Sequence, residues 1–481
     1  MHGSSLRLAV NLIPEGLLLA GALICGALAL RRRATPRLVR LVAAVALVAA
    51  GATQVLYLSG MPDAGYRAYS DGLVVDRYTT FLVPVMCLLA LVALAAATPL
   101  LPRIATHVAE FHALLLISVI GGALLVAARE MAAFWVALEL LSLSLALLVA
   151  MVKTDRRGSE AATKQLVVGG AASAVLLYGF ALLYGAGGST VLVDVAAHLR
   201  HATAAVALGM ALVVCALLTK LGAVPFHQWV PDTLRGAPPA VAALAIGVGG
   251  TAVAGATARL VVTTFPVVSG NWTALVALAA ALSLLYGNLA ALSQHSLRRL
   301  LGLLVIGQVG FLLLGLLGAS RGGVAALAFA LATGGVTIAG ILAVLAGLDG
   351  ALGDDVGDLR GLSRRSPLAA AMLGLGLVSL AGVPPLIGFF ARLFLLQSAV
   401  LAGYAWLVLL ALVTSVVGAV AVARLLLRMY VDLPDEGAPP LHLPGGVLRA
   451  TVGLCAVATV ALGIAAQPLF NLATGGAGSI H

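Results

Sequence analysis

About fourteen apolar runs of roughly twenty residues each leave this chain little freedom of fold. Their cores fall near 9–30, 40–59, 80–100, 111–128, 131–152, 165–187, 203–222, 239–263, 272–293, 299–318, 323–348, 367–400, 402–428 and 449–470. A hydrocarbon layer of about 30 Å takes about 20 residues of helix to cross. Each run must be helical, because lipid offers no partner to an open backbone N–H or C=O. Composition agrees: 62% of the 481 residues are hydrophobic and 10% charged, where a soluble domain carries roughly 25% charged residues. A soluble globular protein is excluded, and the fold class is an all-α polytopic membrane protein.

The net charge of +10 sets topology rather than a nucleic-acid surface. Loops after odd-numbered runs hold Arg31–Arg33, Arg37, Arg40, Arg103, Lys153, Arg156, Arg157, Lys164, Arg235, Arg298, Arg299, Arg360, Arg364, Arg365, Arg428 and Arg449. The other side has mainly Arg7, Arg67, Arg77, Arg129, Arg200 and Arg321. The richer side is expected to face the cytoplasm, with both termini outside. Run 9–30 is too long for a signal-peptide core and stops at Arg31–Arg33, so it reads as a retained first helix. Cys25, Cys87, Cys215 and Cys455 each lie in an apolar run without a CxxC pair, which suggests neither a disulfide framework nor a zinc site.

Proline interrupts two runs in similar settings, Lys220-Leu-Gly-Ala-Val-Pro225-Phe-His227 in the seventh and Ala381-Gly-Val-Pro384-Pro385 in the twelfth. A membrane tolerates such breaks where protein or a wet cavity satisfies the freed carbonyls. Their matching placement points to two inverted five-helix repeats. The expected organisation is an N-terminal segment 1–110, repeats over 111–264 and 265–428, and a C-terminal part 429–481.

Ionisable groups inside a span cost about 3 kcal/mol or more and gather along wet interior paths. Glu139 stands mid-run in Phe134-Trp-Val-Ala-Leu-Glu139-Leu-Leu-Ser142, either as an ion-path carboxyl or as a neutral core carboxyl. Lys220 is one of only three lysines among 28 basic residues, and a lysine at depth suits a group that must give up a proton, which guanidinium does not do. Arg392, about 12 Å of helical rise beyond the twelfth-run break, is a fixed counter-charge or a clamp on a carbonyl or carboxylate. His227 and Asp232 flank the seventh-run break, as a proton entry or as helix caps. Glu15, Arg259 and Arg424 lie near run ends and read as snorkelling or packing residues. The chain carries no nucleotide loop, dinucleotide fingerprint, haem ligand pattern or iron–sulfur cysteine series.

Taken together, Leu138-Glu139-Leu-Leu-Ser142, Lys220-Leu-Gly-Ala-Val-Pro225-Phe-His227-Gln-Trp229-Val-Pro231-Asp232 and Gly236-Ala-Pro238 resemble the antiporter-like membrane subunits of respiratory complex I and the related Mrp cation/proton antiporters. Leu177-Tyr178-Gly, Gly287-Asn288-Leu, Asp358-Leu-Arg-Gly-Leu and Leu380-Ala-Gly-Val-Pro384-Pro385-Leu-Ile-Gly388-Phe-Phe390 are most similar to the subunit N branch of the NADH-quinone oxidoreductases. The resemblance implies a fourteen-helix subunit of a bacterial membrane arm with a buried polar axis that moves protons, partnered by other membrane-arm subunits. It implies no redox group on this chain, with FMN and iron–sulfur clusters on other subunits. Carried over by position, Glu139 and Lys220 match the family's charge pair and Arg392 a place usually held by lysine.

Three departures accompany the match. The eighth-run lysine falls at Gly250, a tenth-run histidine region reads Leu304-Val-Ile-Gly-Gln308-Val-Gly310, and Arg392 keeps its proton. The second half-channel is therefore expected to be degenerate. A sodium/proton antiporter subunit, a hydrogenase-type complex subunit and a structural subunit that has lost pumping stay open as alternatives.

Overall fold

The computed structural model describes residues 12–30, 35–58, 65–68, 72–198, 203–265 and 269–480; Arg7, Arg31–Arg33 and Arg200 fall outside them. The apolar runs become α1 (Ile13–Leu30), α2 (Pro36–Tyr57), α3 (Arg77–Ala96), α4 (Val108–Ala127), α5 (Met131–Val149), α6 (Arg156–Gly187), α7 (Ala204–Leu221), α8 (Pro239–Thr264), α9 (Ser269–Leu292), α10 (Leu297–Leu314), α11 (Arg321–Gly347), α12 (Pro367–Ala381), α13 (Ile387–Leu401), α14 (Ala405–Leu426) and α15 (Gly446–Ile464). Thirteen helices among the described residues are long and apolar enough to cross a bilayer. The shorter α12 and α13 are the halves of the broken twelfth crossing, which gives the fourteen read from the sequence.

Polar caps fix where helices begin. Asp76 accepts from the Thr79 N–H at 2.9 Å while its own N–H donates to Thr79 Oγ1, also at 2.9 Å, closing the first turn of α3; Thr203, Ser296 and Ser320 cap α7, α10 and α11. Asp155 accepts from Arg157 N–H at 3.0 Å, so α6 starts at Arg156 rather than near 165. Lys164, expected in a loop, is consequently helical. The last run also differs. Helix α15 ends at Ile464, and the chain turns at Ala465 into α16 (Ala466–Gly478). Phe470 of α16 stacks on Phe394 at 3.9 Å, and Ser479 beyond it accepts from Tyr78 N–H at 3.2 Å.

Helices α8 and α11 form the centre, with 89% of each span buried, while α1 and α15 form the rim at 28%. Helix α4 packs on α5 and α8, and α6 on α7; shifted by five helices, α9 packs on α10 and α14, and α11 on α12 and α13. Five is odd, so the second set crosses the membrane in the opposite sense to the first. The close approaches recur too. A Cβ on Gly121 of α4 would stand 2.6 Å from the Leu141 nitrogen and 3.2 Å from the Ala137 oxygen of α5, and one on Gly287 of α9 would press on the Gly307 nitrogen and Leu303 oxygen of α10.

On the face away from the arginine-rich loops, β1 (Tyr66–Ala68) and β2 (Leu73–Val75) pair antiparallel. Immediately after β2, Asp76 meets Arg259 of α8 in a bidentate ion pair, both bonds 2.8 Å, with the two side chains 1% and 2% exposed. Arg259 Nε also donates to Val126 O at 2.7 Å, and its guanidinium lies 5.3 Å from the Tyr78 ring centre. Arg259 thus does not snorkel; it ties the hairpin, α3, α4 and α8 together. Arg424 does pack at a helix end, donating to Leu292 O.

Candidate functional site

Helices α5, α6 and α7 converge on two charges. Lys220 Nζ on α7 lies 3.4 Å from Glu139 Oε1 on α5 and donates to Ser142 Oγ, one α5 turn on, at 3.0 Å. Ser173 of α6 donates to the same Glu139 oxygen and to Gly169 O. Trp135 Nε1 holds the Ser173 carbonyl at 3.3 Å. The lysine side chain is 7% exposed and the glutamate 21%, so the ammonium faces inward and the carboxyl stands nearer the outer surface of the helix bundle.

The break in α7 is what aims Lys220. Gly222 closes the helix at φ +73, a left-handed conformation that suits glycine. Pro225 follows after a cis bond, and Trp229 Nε1 donates to Thr219 O at 2.9 Å. The twelfth crossing repeats this design: Gly382 ends α12 at φ +80, and the Pro384–Pro385 bond is cis. Ala223 N–H donates to Leu218 O and Val383 N–H to Val378 O, while Gly222 N–H donates to Thr219 O and Gly382 N–H to Ser379 O. By that register Leu380 stands where Lys220 stands. The matching α4–α5 and α9–α10 contacts make Val305 the counterpart of Glu139 and Gln308 that of Ser142. The second unit has the architecture without the charge pair.

Lys220 opens onto a cavity of about 140 Å³ that runs between α7, α8, α10 and α11 to Arg392, with Gln165, Thr251, Gln308, Thr337 and Ser379 supplying polar walls. Gly250 lines it beside a π turn at Ala245–Gly249, and a Cβ there would meet nothing within 4 Å. At the far end Arg392 Nη1 donates to Ala381 O at 2.8 Å and Ser415 Oγ at 3.1 Å, Nη2 donates to Leu380 O, and the guanidinium lies 4.4 Å from the Phe311 ring centre. Gln308 Nε2 also donates to Leu380 O, at 2.8 Å. Of the two readings left open for Arg392, the geometry is that of a clamp on carbonyls, compensating the negative end of α12.

His227 is not among the cavity-lining residues; its ring packs 4.3 Å from that of Tyr286. Asp232 accepts from Lys164 at 2.8 Å, and Lys164 also pairs with Glu160 at 2.7 Å, which fastens the short helix Trp229–Gly236 to α6. Sequence reasoning missed Ser173 and Gln165. Both lie on α6 facing the site, and the Gln165 carbonyl oxygen is buried in the wall without a hydrogen-bond partner. The signal available was weak: two polar residues four apart from Gly169, in a helix otherwise rich in glycine and alanine.

Residues 128–418 match the transmembrane family described as NADH:quinone oxidoreductase/Mrp antiporter, and the chain belongs to that family. It is 36% identical over 470 residues to NADH-quinone oxidoreductase subunit N 2 of Acidobacterium capsulatum, covering 93% of this chain and 94% of the relative. It is 38% identical over 389 residues to NAD(P)H-quinone oxidoreductase subunit 2 of Synechococcus elongatus, covering 77% and 73%. A chain of respiratory complex I from Thermus thermophilus superposes with a TM-score of 0.81 at 29% identity, covering 96% of this chain and 99% of that one. The subunit N resemblance read from the motifs is thereby supported.

Proposed function

We propose that this chain is the subunit N-type, proton-translocating component of the membrane arm of a bacterial NADH:quinone oxidoreductase. The observation that carries the reading is Lys220 Nζ, 3.4 Å from Glu139 and open to a cavity with polar side chains set in an apolar wall. A carboxylate beside an ammonium favours its protonated form. When Glu139 turns away, Lys220 hands its proton to water in the cavity; when Glu139 returns, Lys220 takes one up. Ser142 holds the ammonium and Ser173 the carboxyl in these positions. Gln165 and the Lys164–Asp232 pair lie toward the arginine-rich face, which we read as cytoplasmic, and His227 and Asp232 flank that entrance.

We assign 111–264 as the working unit and 265–428 as a divergent one, flanked by 1–110 and 429–481. Arg392 keeps its proton and closes the end of the cavity as a clamp on main-chain carbonyls, so transfer beyond the first unit is weakened or rerouted through water. The chain itself carries no redox chemistry in this reading; FMN and iron–sulfur clusters belong to partner subunits, and both termini lie outside the cytoplasmic membrane.

Tagging the chain in its host, extracting it in mild detergent and staining a native gel for NADH oxidation with quinone as acceptor tests membership of the enzyme. Activity in the tagged band is expected; a band without it, beside an intact control complex, overturns the assignment. A second reading rests on the family's joint description with Mrp antiporters. A sodium/proton antiporter would share Glu139 and Lys220 and would show sodium-dependent proton flux without NADH. A hydrogenase-type complex would separate by its neighbouring genes, and a purely structural subunit by unchanged pumping in Lys220→Ala.

A further inference from the structure

Away from the charge pair, α12 and α14 part toward the arginine-rich face and leave a lateral apolar groove. Ala371, Gly374, Leu375 and Val378 of α12 form one wall, and Leu427 and Tyr430 of the π turn that extends α14 form part of the other. From Ala371 to Val378 the groove descends about 10 Å into the membrane, the reach of the upper part of an acyl chain. Tyr430 spans its mouth, donating to Ala370 O at 2.9 Å.

The mouth is charged. The four-residue helix Leu362–Arg365 packs on Leu427–Val431, and Gly361 N–H donates to Arg428 O at 3.0 Å. Three of the nearby acids are already engaged, Asp432 by Arg360 and Arg428, Asp435 by Arg360, and the Asp358 carboxylate by Asp355 N–H, while Glu436 is exposed. Arg364 is exposed, and among the described residues no carboxylate pairs with it. An apolar slot in the hydrocarbon layer, beside a short helix that carries an exposed guanidinium with no ion pair, is complementary to one kind of molecule.

We propose that the α12–α14 groove is a binding site for an anionic phospholipid, its acyl chain against Ala371, Leu375 and Leu427 and its phosphate against Arg364. A zwitterionic lipid brings its own cation to that guanidinium and gains less. A basic residue near the membrane surface favours an anionic lipid by about five-fold.

The test uses the whole complex in phosphatidylcholine nanodiscs doped with trace photoactivatable phosphatidylglycerol or phosphatidylcholine, each carrying a diazirine in one acyl chain. Phosphatidylglycerol is expected to label Ala371, Leu375 and Leu427 about five-fold more than phosphatidylcholine. Arg364→Gln should remove that preference, and Arg449→Gln, elsewhere on the same face, should leave it. Equal labelling in the unaltered complex overturns the proposal without any variant. So does loss of preference in both variants, which reports general surface charge, or a groove cross-linked to another subunit and closed to lipid.

Discussion

Lys220 and Leu380 occupy the same place in two related helices, each two residues before the glycine that ends its helix at positive φ. One side chain is an ammonium paired with Glu139; the other is a leucine, and Val305 holds the place that corresponds to Glu139. The broken-helix form therefore does not depend on the charge it displays. The backbone bonds around the two glycines match residue for residue, and they are what hold the break.

Removing the ammonium isolates its role. Lys220→Ala should let the complex assemble, because the side chain borders a cavity, while proton transfer through this subunit falls by roughly a hundredfold or more, the range of a positioned proton-transfer group. Lys220→Arg should not rescue it, since guanidinium stays charged. Proton-to-electron ratios in proteoliposomes, beside NADH oxidation rates, measure both.

A lysine placed at the equivalent site should be tolerated only with a partner. Leu380→Lys buries an ammonium with no carboxylate near it, which destabilises by roughly 3–5 kcal/mol. Adding Val305→Glu should recover part of that loss, read as the yield of assembled complex on native gels and its thermal midpoint. Equal yields for single and double variants would refute the equivalence drawn from the two breaks.

Glycine positions make opposite predictions according to their surroundings. Gly250→Lys has open space at the Cβ, so it brings no steric clash, and in the complex that assembles the proton-to-electron ratio should rise. A chain that already pumps at the full family ratio would contradict the fixed-end reading of Arg392. Gly121→Ala sets a methyl 2.6 Å from the Leu141 backbone, and overpacking of that kind costs about 1–3 kcal/mol, seen as a lowered thermal midpoint.

The Asp76–Arg259 pair should behave as a structural tie. Asp76→Asn leaves a buried guanidinium uncompensated and should destabilise by roughly 3–5 kcal/mol. The double replacement Asp76→Leu with Arg259→Met should lose less than either single change. Differential scanning fluorimetry of the purified complex compares the three.

Much of this was legible in the chain because bilayer thickness sets run length and because charge is so rare that Glu139 and Lys220 stand out against it. The unread parts have physical causes. Arg392 is satisfied by main-chain carbonyls, which no side-chain pattern displays. Asp76 and Arg259 lie 183 residues apart and meet only once α3, α4 and α8 pack. Helix α6 extends to Arg156 through an Asp155 cap beyond the apolar run, and Val305 and Leu380 look like every other apolar residue until the two units are laid over each other.

The contact of Gly121 with the α5 backbone bears on how fast the site can switch. With α4 and α5 in near backbone contact on one side of Glu139 and α7 pinned at its end by the Trp229 indole, sliding or tilting these helices would have to unpack a close-packed seam, a microsecond-to-millisecond event. Rotation of the Glu139 side chain needs no such unpacking, only release from Ser173 and Lys220, and side-chain rotation is faster than helix motion. The charge pair is thus a fast element in a slow frame, and the tempo of transport is left to whatever part of the assembly moves Glu139.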